Sequence, residues 1–280
     1  MRYLVIGSKG QLGKAFCEHL EKRQENYLAF GREELDVTDF DKVRKILKEI
    51  RPDIVLNCSA YNLVDKAEVE FEKALAVNSF GPRNLALVCR ELGAFLVHYS
   101  TDYVFDGKKE VLYTEEDSPN PLNKYGYSKW LGEKEIISVM ENKFLVLRTS
   151  WVYGKGTQNF LYKLTKWAEE SEYLKIACDE FSVPTSTKTI VEVTLKAIQS
   201  GLIGLYHLVN TDYASRYEWA KKFFKLRGVR IFIYPSYSAD FKLLAPRPRW
   251  SSMSNLKICK ELGIEIKDWQ SELKKFILES

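Results

Sequence analysis

The feature that most constrains the fold is the stretch IGSKGQLG near the N-terminus, where Gly7, Gly10 and Gly13 recur at every third position. An apolar run before it predicts a buried strand over 2–6, and apolar spacing after it predicts a helix over 12–23. Glycine lets the chain turn tightly there and lets backbone approach a pyrophosphate, while the helix N-terminus attracts the anion. We therefore expect a dinucleotide to bind between this strand and this helix.

Strand and helix patterns continue to alternate after the glycine loop. The alternation predicts right-handed β-α-β units, and therefore an α/β fold of the Rossmann type, with a doubly wound parallel sheet covered by helices on both faces. Further strands are predicted over 27–30, 54–58, 94–99 and 144–148. Helices are predicted over 39–50, 123–141 and a longer region, 65–92, with an interruption near Gly81–Pro82.

The alternation loosens after about residue 155. Short strands are predicted over 175–177, 205–209 and 231–234, and helices over 158–171, 187–200, 215–227 and 254–262. Ser215 and Glu218 form an S-x-x-E capping box at the start of one of these helices. We expect residues 1–155 to form the dinucleotide-binding domain and residues 156–280 a smaller substrate-binding lobe that interleaves with it.

Composition argues against several classes of protein. A net charge of +4 with mixed signs and no dense basic block argues against nucleic-acid binding. No apolar run reaches the roughly 20 residues of a membrane span, and the chain starts on a strand rather than a signal peptide. The 5 cysteines lack C-x-x-C spacing, which is typical of a reduced, cytoplasmic protein. The histidines, at 19, 98 and 207, lie in helix or strand patterns and are interpreted as structural, so we expect no metal site.

Tyr125 and Lys129 lie four residues apart in a predicted helix and share one face, whereas Tyr127 points to a different side. A lysine ammonium beside a phenol favours the phenolate, so we expect the pKa of Tyr125 to fall below its ordinary value of about 10. Thr101 follows the fourth strand, at the carboxyl edge where open α/β sheets bind ligands. These residues predict a proton-transfer site, and the alternative is a solvated Tyr–Lys pair on a helix surface.

The tip of the second strand reads FGRE and bears on the choice of cofactor. A carboxylate there would bind a ribose 2′-hydroxyl, whereas an arginine would bind a 2′-phosphate. Arg32 therefore favours NADPH, while the neighbouring Glu33 and Glu34 leave NADH open. Asp39 either hydrogen-bonds the adenine amine or caps the helix that starts beside it, and the sequence favours neither.

A larger set of motifs runs almost from end to end of the chain: GSKGQLG, LDVTD, AYNLVDKAEVE, VNSFGPRNLA, STDYVFDG, NPLNKYGYSK, RTSWVYG, QNF, VPTST, GLYHLVN and APRPRWSS. On these motifs the chain resembles the extended short-chain dehydrogenases/reductases and, among them, the dTDP-4-dehydrorhamnose reductase family. The resemblance covers residues 1 to about 256. It implies NADPH-dependent reduction of the C4 keto group of a nucleotide-linked 4-keto-6-deoxy sugar, with dTDP-4-dehydrorhamnose to dTDP-rhamnose as the leading reaction.

The resemblance also implies roles for individual residues. Thr101 would bind the reacting oxygen, Tyr125 would donate the proton, and Lys129 would assist it and contact the cofactor. The other cofactor-binding residues would be Gly7, Gly10, Gln11, Leu12, Ala60 and Tyr61. Those on the substrate side would be Asp102, Trp151, Asn159 and Arg247.

Asp102 is followed by Tyr103, whereas related sugar-nucleotide dehydratases carry an Asp-Glu pair because elimination of water needs its own acid and base. The missing carboxylate favours carbonyl reduction. The chain also departs from the family pattern at Glu180 and Phe181, and at Arg216, where Ser-Trp is common in place of Ser-Arg. These departures lie toward the substrate side.

A second reading belongs to another class of protein. The regulatory β subunit of methionine adenosyltransferase is related to this family, and it is a binding module that retains the dinucleotide fold without catalysis. The intact set of Thr101, Tyr125 and Lys129 favours the enzyme. We expect a nucleotide-sugar substrate, no nucleic-acid partner and no membrane, and a homodimer stays open.

Overall fold

The computed structural model describes residues 1–279, and its centre is a parallel β-sheet flanked by helices. Strands and helices alternate through the first half, as the apolar patterns predict. The elements of this half are β1 (Arg2–Ile6), α1 (Gln11–Lys22), β2 (Asn26–Phe30), α2 (Phe40–Ile50), β3 (Ile54–Asn57), α3 (Val64–Ala67), α4 (Phe71–Leu75), a π-helical turn (Ala76–Phe80), α5 (Gly81–Leu92), β4 (Phe95–Thr101), a 3₁₀ turn (Asp102–Val104), α6 (Lys124–Val139) and β5 (Phe144–Thr149).

The second half consists of shorter strands and five helices within the described residues. The capping box of Ser215 and Glu218 is present at the start of one helix, as predicted. The elements are β6 (Val152–Tyr153), α7 (Phe160–Glu170), β7 (Tyr173–Ala177), β8 (Phe181–Ser182), β9 (Thr185–Ser186), α8 (Thr187–Gln199), β10 (Gly204–His207), β11 (Ala214–Ser215), α9 (Arg216–Arg227), β12 (Phe232–Ser236), a 3₁₀ turn (Ser238–Asp240), α10 (Leu256–Leu262) and α11 (Trp269–Leu278).

The six strands of the main sheet have the order β10-β5-β4-β3-β1-β2, and every neighbouring pair is parallel. The chain order reverses between β1 and β3, which makes this the switch point at whose carboxyl edge open α/β sheets bind ligands. Thr101 at the end of β4 pairs with Thr149 at the end of β5, so both residues lie at this edge. The predicted α/β fold of the Rossmann type is confirmed.

The strands are largely apolar because helices bury both faces of the sheet. On one face α1 and α8 pack side chains such as Phe16 and Ile190 against the strands. On the other face α2, α5 and α6 contribute Val43, Leu85 and Ile136. Because α8 and β10 follow residue 155 in the chain, the C-terminal half completes the core of the sheet, and the division at residues 155/156 stays a prediction.

The long helical region predicted over 65–92 is divided into several pieces in the structure. A π-helical turn precedes α5, which begins at Gly81 with Pro82 in its first turn, close to the predicted interruption. Proline lacks the N–H that a helix interior needs, so it is tolerated at a helix start. The sequence reading missed α11, although Asp268 caps it and Trp269, Leu273 and Phe276 follow helical spacing.

A separate core joins the helices and small sheets of the second half. Trp219 on α9 is completely buried at its centre, among side chains of α7, β7 and α11. The ring of Trp219 contacts the aromatic rings of Trp151, Tyr153 and Phe160. Within residues 1–279, no helix is both long and apolar enough to cross a membrane.

One buried ion pair joins α6 to the sheet. The guanidinium of Arg148 on β5 donates two hydrogen bonds to the Glu133 carboxylate, at 2.9 and 2.7 Å, and both side chains are nearly inaccessible. Because both charges lie away from water, each depends on the other for its stability. The pair fixes the helix that carries Tyr125 and Lys129 against the strand beside Thr101.

We predict that Glu133→Gln lowers the free energy of unfolding by about 3–5 kcal/mol, because it leaves the Arg148 charge buried without a carboxylate. Urea denaturation measures the loss. The matched control is Glu169→Gln, which breaks the exposed pair of Lys166 and Glu169 and should change the same quantity by less than about 1 kcal/mol. Equal effects from the two variants would contradict the assigned importance of the buried pair.

Candidate active site

A cleft of about 440 Å³ opens at the carboxyl edge of the sheet, beside the glycine loop. This volume lies within the range of small-molecule and cofactor sites. Of the residues predicted to bind the cofactor, the cleft is lined by Gly7, Gly10, Gln11, Leu12, Arg32, Ala60, Tyr61 and Lys129. Tyr125 lines it as well, so the structure brings the predicted cofactor residues and the predicted proton donor to one cavity.

The glycine loop has the geometry of a backbone cradle. Gly7 has a φ of +78°, and a Cβ added to it would lie 2.7 Å from the Ser59 nitrogen. A Cβ on Gly13 would collide with the Gly7 carbonyl oxygen. Gly10 caps α1 without a side-chain oxygen, so the first N–H groups of the helix remain available to an anion. These residues fit the pyrophosphate of a dinucleotide.

Charged side chains surround the far end of the cleft. Arg32 is largely exposed, and its Nε lies 3.2 Å from the Asp36 carboxylate. The Lys9 ammonium lies 2.9 Å from the Glu33 carboxylate, and both of these side chains are also exposed. Asp39 does not line the cleft, and its carboxylate accepts a hydrogen bond of 3.0 Å from the Lys42 N–H. Of the two roles considered for Asp39, the structure shows the helix cap, at the start of α2.

The proton-transfer residues lie on two neighbouring elements. Thr101 ends β4, and Tyr125 lies in the first turn of α6, which begins after its cap Asn123. The Thr101 hydroxyl lies beside the Tyr125 phenol and acts to lower its pKa. The Tyr103 ring meets the Tyr125 ring edge-on, with centroids 6.0 Å apart. Two hydroxyl groups thus converge at the edge of the cleft, where one oxygen atom of a ligand can contact both.

The pKa of Tyr125 differs from the expectation. Burial raises it above the ordinary value, and the negative charge of Asp102 adds to the increase. The predicted lowering by Lys129 is therefore wrong for the protein without ligands. Sharing a helix face does not bring the two polar groups together, because the Lys129 ammonium donates a 2.6 Å hydrogen bond to the Tyr99 carbonyl instead.

Lys129 is itself unusual because its side chain is buried. Burial lowers its pKa to about 8, although the Glu133 carboxylate acts in the opposite direction. Its ammonium also lies 3.3 Å from Nε2 of His98, whose Nδ1 lies 3.0 Å from the Asn57 amide. The sequence reading treated His98 as structural and missed this contact. A polar residue inside an otherwise apolar central strand was the available signal.

Asp102 does not face an open cavity. It is 2% exposed, and its carboxylate accepts hydrogen bonds from the hydroxyls of Thr101 at 3.1 Å, Ser182 at 2.8 Å and Ser251 at 2.6 Å. Burial raises the pKa of Asp102, although the three hydroxyls favour the charged form. Asp102, which was predicted to contact the substrate, is thus hydrogen-bonded to protein groups instead. In this structure its carboxylate positions the hydroxyl of Thr101.

Trp151 follows β5 in a left-handed backbone conformation, with φ of +41°. Its ring stacks on Trp219, with centroids 5.6 Å apart and planes at 11°. The guanidinium of Arg216 lies 3.8 Å from the centre of the Trp151 ring. The guanidinium of Arg216 therefore covers one face of the Trp151 ring. A ligand that approaches this face would contact the guanidinium before the ring.

Asn159 and Arg247 also make contacts within the protein. Asn159 caps α7, and its Nδ2 donates a 2.7 Å hydrogen bond to the Gln11 side chain, which joins a predicted substrate residue to the glycine loop. Arg247 donates to the Asp65 carboxylate and to the Ala245 carbonyl, both at 2.7 Å. Within residues 1–279, no cluster of three or more His, Cys, Asp or Glu side chains could hold a metal ion.

Comparison with known proteins places this geometry in a family. The family model described as "RmlD substrate binding domain" matches residues 1–280. The chain is 34% identical to a dTDP-4-dehydrorhamnose reductase of Streptomyces griseus, covering 97% of this chain and 91% of that protein. The chain belongs to the dTDP-4-dehydrorhamnose reductase family.

Other members of the family are equally similar over their full length. The chain is 35% identical to the spore coat polysaccharide biosynthesis protein SpsK of Bacillus subtilis, covering 99% of this chain and 97% of that protein. The crystal structure of a dTDP-4-dehydrorhamnose reductase from Bacillus anthracis in complex with NADP superposes with a TM-score of 0.96 at 34% identity, covering 100% of this chain and 99% of that one. The likeness to this family therefore includes both halves of the fold.

The charged end of the cleft generates a test of cofactor choice. We predict that Arg32→Ala lowers the ratio of NADPH to NADH affinity about tenfold, because a charge-assisted hydrogen bond to the 2′-phosphate is lost. Isothermal titration with each cofactor measures the ratio. Arg23→Ala removes an exposed charge just beyond α1, outside the cleft lining, and should leave the ratio unchanged. If Arg32→Ala also leaves it unchanged, then Arg32 does not read the 2′-phosphate.

Proposed function

We propose that the protein is an NADPH-dependent reductase that converts the C4 keto group of dTDP-4-dehydrorhamnose to a hydroxyl. The observation that carries the proposal is the approach of the Thr101 hydroxyl to the Tyr125 phenol, which lines the glycine-loop cleft. Two hydroxyls that meet at one point can bind a carbonyl oxygen, and one of them can protonate it. The family of reductases to which the chain belongs supports the same reaction.

The cofactor would be held by residues that line the cleft. The N–H groups at the start of α1, from Gln11 onward, and the glycines would bind the pyrophosphate. Arg32 would bind the 2′-phosphate, and Ala60 and Tyr61 would line the dinucleotide along the carboxyl edge of the sheet. When bound, NADPH supplies the hydride that reduces C4.

Tyr125 acts as the proton donor in this proposal. Because burial raises its pKa, the phenol stays protonated at neutral pH and can give its proton to the developing alkoxide. The Thr101 hydroxyl orients the same oxygen, and the Asp102 carboxylate accepts a hydrogen bond from Thr101 and so fixes its direction. The Lys129 ammonium bonds the Tyr99 carbonyl rather than the phenol, so its role in this proposal is to contact the cofactor from the same cleft.

The substrate would occupy the space between the cleft and the second half of the chain. Trp151 and Asn159 are candidates to line this space from the β5 end and the start of α7. Arg247 is a candidate for the diphosphate because a guanidinium fork matches two phosphate oxygens. Its present partner is the Asp65 carboxylate, so substrate binding would require that the two anions share the fork.

Product analysis tests the proposed function directly. Purified protein is incubated with dTDP-4-dehydrorhamnose and NADPH, and the nucleotide sugars are identified by NMR. We expect dTDP-rhamnose to form, with one NADPH oxidised for each molecule of product. Absence of NADPH oxidation, or a product formed by loss of water, would contradict the proposal.

The proton donor has a matched control on the same helix. We predict that Tyr125→Phe lowers kcat by about 10²–10⁴-fold while NADPH affinity changes little, since only the donating hydroxyl is lost. Tyr127→Phe should be nearly silent, because Tyr127 is exposed and its ring contacts Phe71 and Trp130 rather than the cleft. Steady-state kinetics and cofactor titration measure both. Equal losses of kcat would show that the wrong tyrosine has been assigned.

A further inference from the structure

Arg216, at the start of α9, is the least expected residue on the substrate side of the cleft. Its guanidinium lies 3.8 Å from the centre of the Trp151 ring and 5.0 Å from that of Phe160. Arginine stacks on aromatic faces because its planar cation is attracted to the π-electrons. The stacking fixes the plane of the guanidinium, so its N–H groups point in defined directions from the ring of Trp151.

Glu180 holds Arg216 from another side. The backbone N–H of Arg216 donates a 3.2 Å hydrogen bond to the backbone carbonyl of Glu180. In the side chains, the Nε of Arg216 lies 3.7 Å from the Glu180 carboxylate. Both side chains are mostly buried, at 21% and 10% exposure. A guanidinium carries five N–H donors, so Arg216 retains donors for a ligand beside this carboxylate. The carboxylate also offsets part of the guanidinium charge.

The backbone fixes this pair close to the proposed reaction centre. Ser215, just before Arg216, pairs with Phe181 in the small sheet of β8 and β11. The next residue, Ser182, donates a hydrogen bond to the carboxylate of Asp102, which adjoins Thr101. On the other side, Trp151 lies two residues beyond the strand partner of Thr101.

The charges agree with this placement. Burial raises the pKa of both Asp102 and Tyr103, and the cation of Arg216 opposes that rise, so Arg216 lies near the two residues that follow Thr101. Arg247 also opposes the rise in pKa at Tyr103 and Glu180. Because Arg216 lies on the Trp151 ring and Arg247 is bonded to Asp65, Arg216 is the candidate cation for the keto-sugar side, and Arg247 remains the candidate for the diphosphate.

We propose that Arg216, held by Glu180 and Trp151, forms the sugar-facing wall of the substrate site and determines which sugar the enzyme accepts. This inference rests on the proposed reductase function and deepens it. A guanidinium whose charge is offset by a neighbouring carboxylate suits neutral oxygens, so its ligands are the hydroxyl oxygens of the sugar rather than the diphosphate. Its planar fork gives the direction that discrimination between sugar epimers needs.

The test separates binding of the sugar from binding of the nucleotide. KM for the keto-sugar nucleotide, the inhibition constant of bare dTDP and the affinity for NADPH are measured for wild type, Arg216→Ala and Arg216→Lys. We expect Arg216→Ala to raise KM about tenfold, since hydrogen bonds from a charged donor are lost. Arg216→Lys should raise KM by a smaller factor, because lysine keeps the positive charge but lacks the planar guanidinium. The constants for dTDP and NADPH should stay unchanged.

The matched control is Arg227→Ala, at the exposed far end of the same helix, which should leave all three constants unchanged. An equal weakening of dTDP binding by Arg216→Ala would overturn the inference and assign Arg216 to the anion site. Normal kinetics of both Arg216 variants would overturn it as well. Wild-type protein that does not oxidise NADPH would instead overturn the proposed function, and the inference with it. Thermal unfolding and NADPH titration show that each variant is folded.

Discussion

The buried carboxylate of Asp102 is the contact on which the arrangement of the site depends. It accepts hydrogen bonds from three hydroxyls, and each belongs to a different part of the chain: the end of β4, β8, and the segment after Trp250. A buried carboxylate needs such partners because desolvation otherwise disfavours its charge. Satisfying it brings the second half of the chain against the sheet edge and orients the Thr101 hydroxyl at the same time.

A second connection joins the two halves at the glycine loop. The Gln11 side chain donates a 3.2 Å hydrogen bond to the Val152 carbonyl and accepts one of 2.7 Å from Asn159, which caps α7. A residue at the start of α1 therefore also fixes α7, the helix nearest the candidate substrate side. The cofactor cleft and the substrate side of the fold are thus built on shared contacts rather than on independent units.

The buried amine and phenol of the site are set by burial more than by each other. Burial raises the pKa of Tyr125 and lowers that of Lys129, so each group is kept in its neutral form over a wider range of pH. A neutral phenol is suited to donate a proton. Neither pKa shift follows from the spacing of the two residues, because burial is decided by the packing of α6 on the sheet.

The sequence by itself determined the parallel sheet, the glycine loop and the residues at its carboxyl edge, since apolar periodicity and glycine spacing are local properties of the chain. Gly7, Gly10 and Tyr125 line one cleft at that edge. Only the tertiary structure decided that Lys129 bonds the Tyr99 carbonyl, that Asp102 is enclosed by hydroxyls, and that Arg216 covers Trp151. Apart from the bond between the neighbours Thr101 and Asp102, the hydrogen bonds among these contacts join residues from 30 to 149 positions apart, and distant partners leave no periodic signal in the sequence.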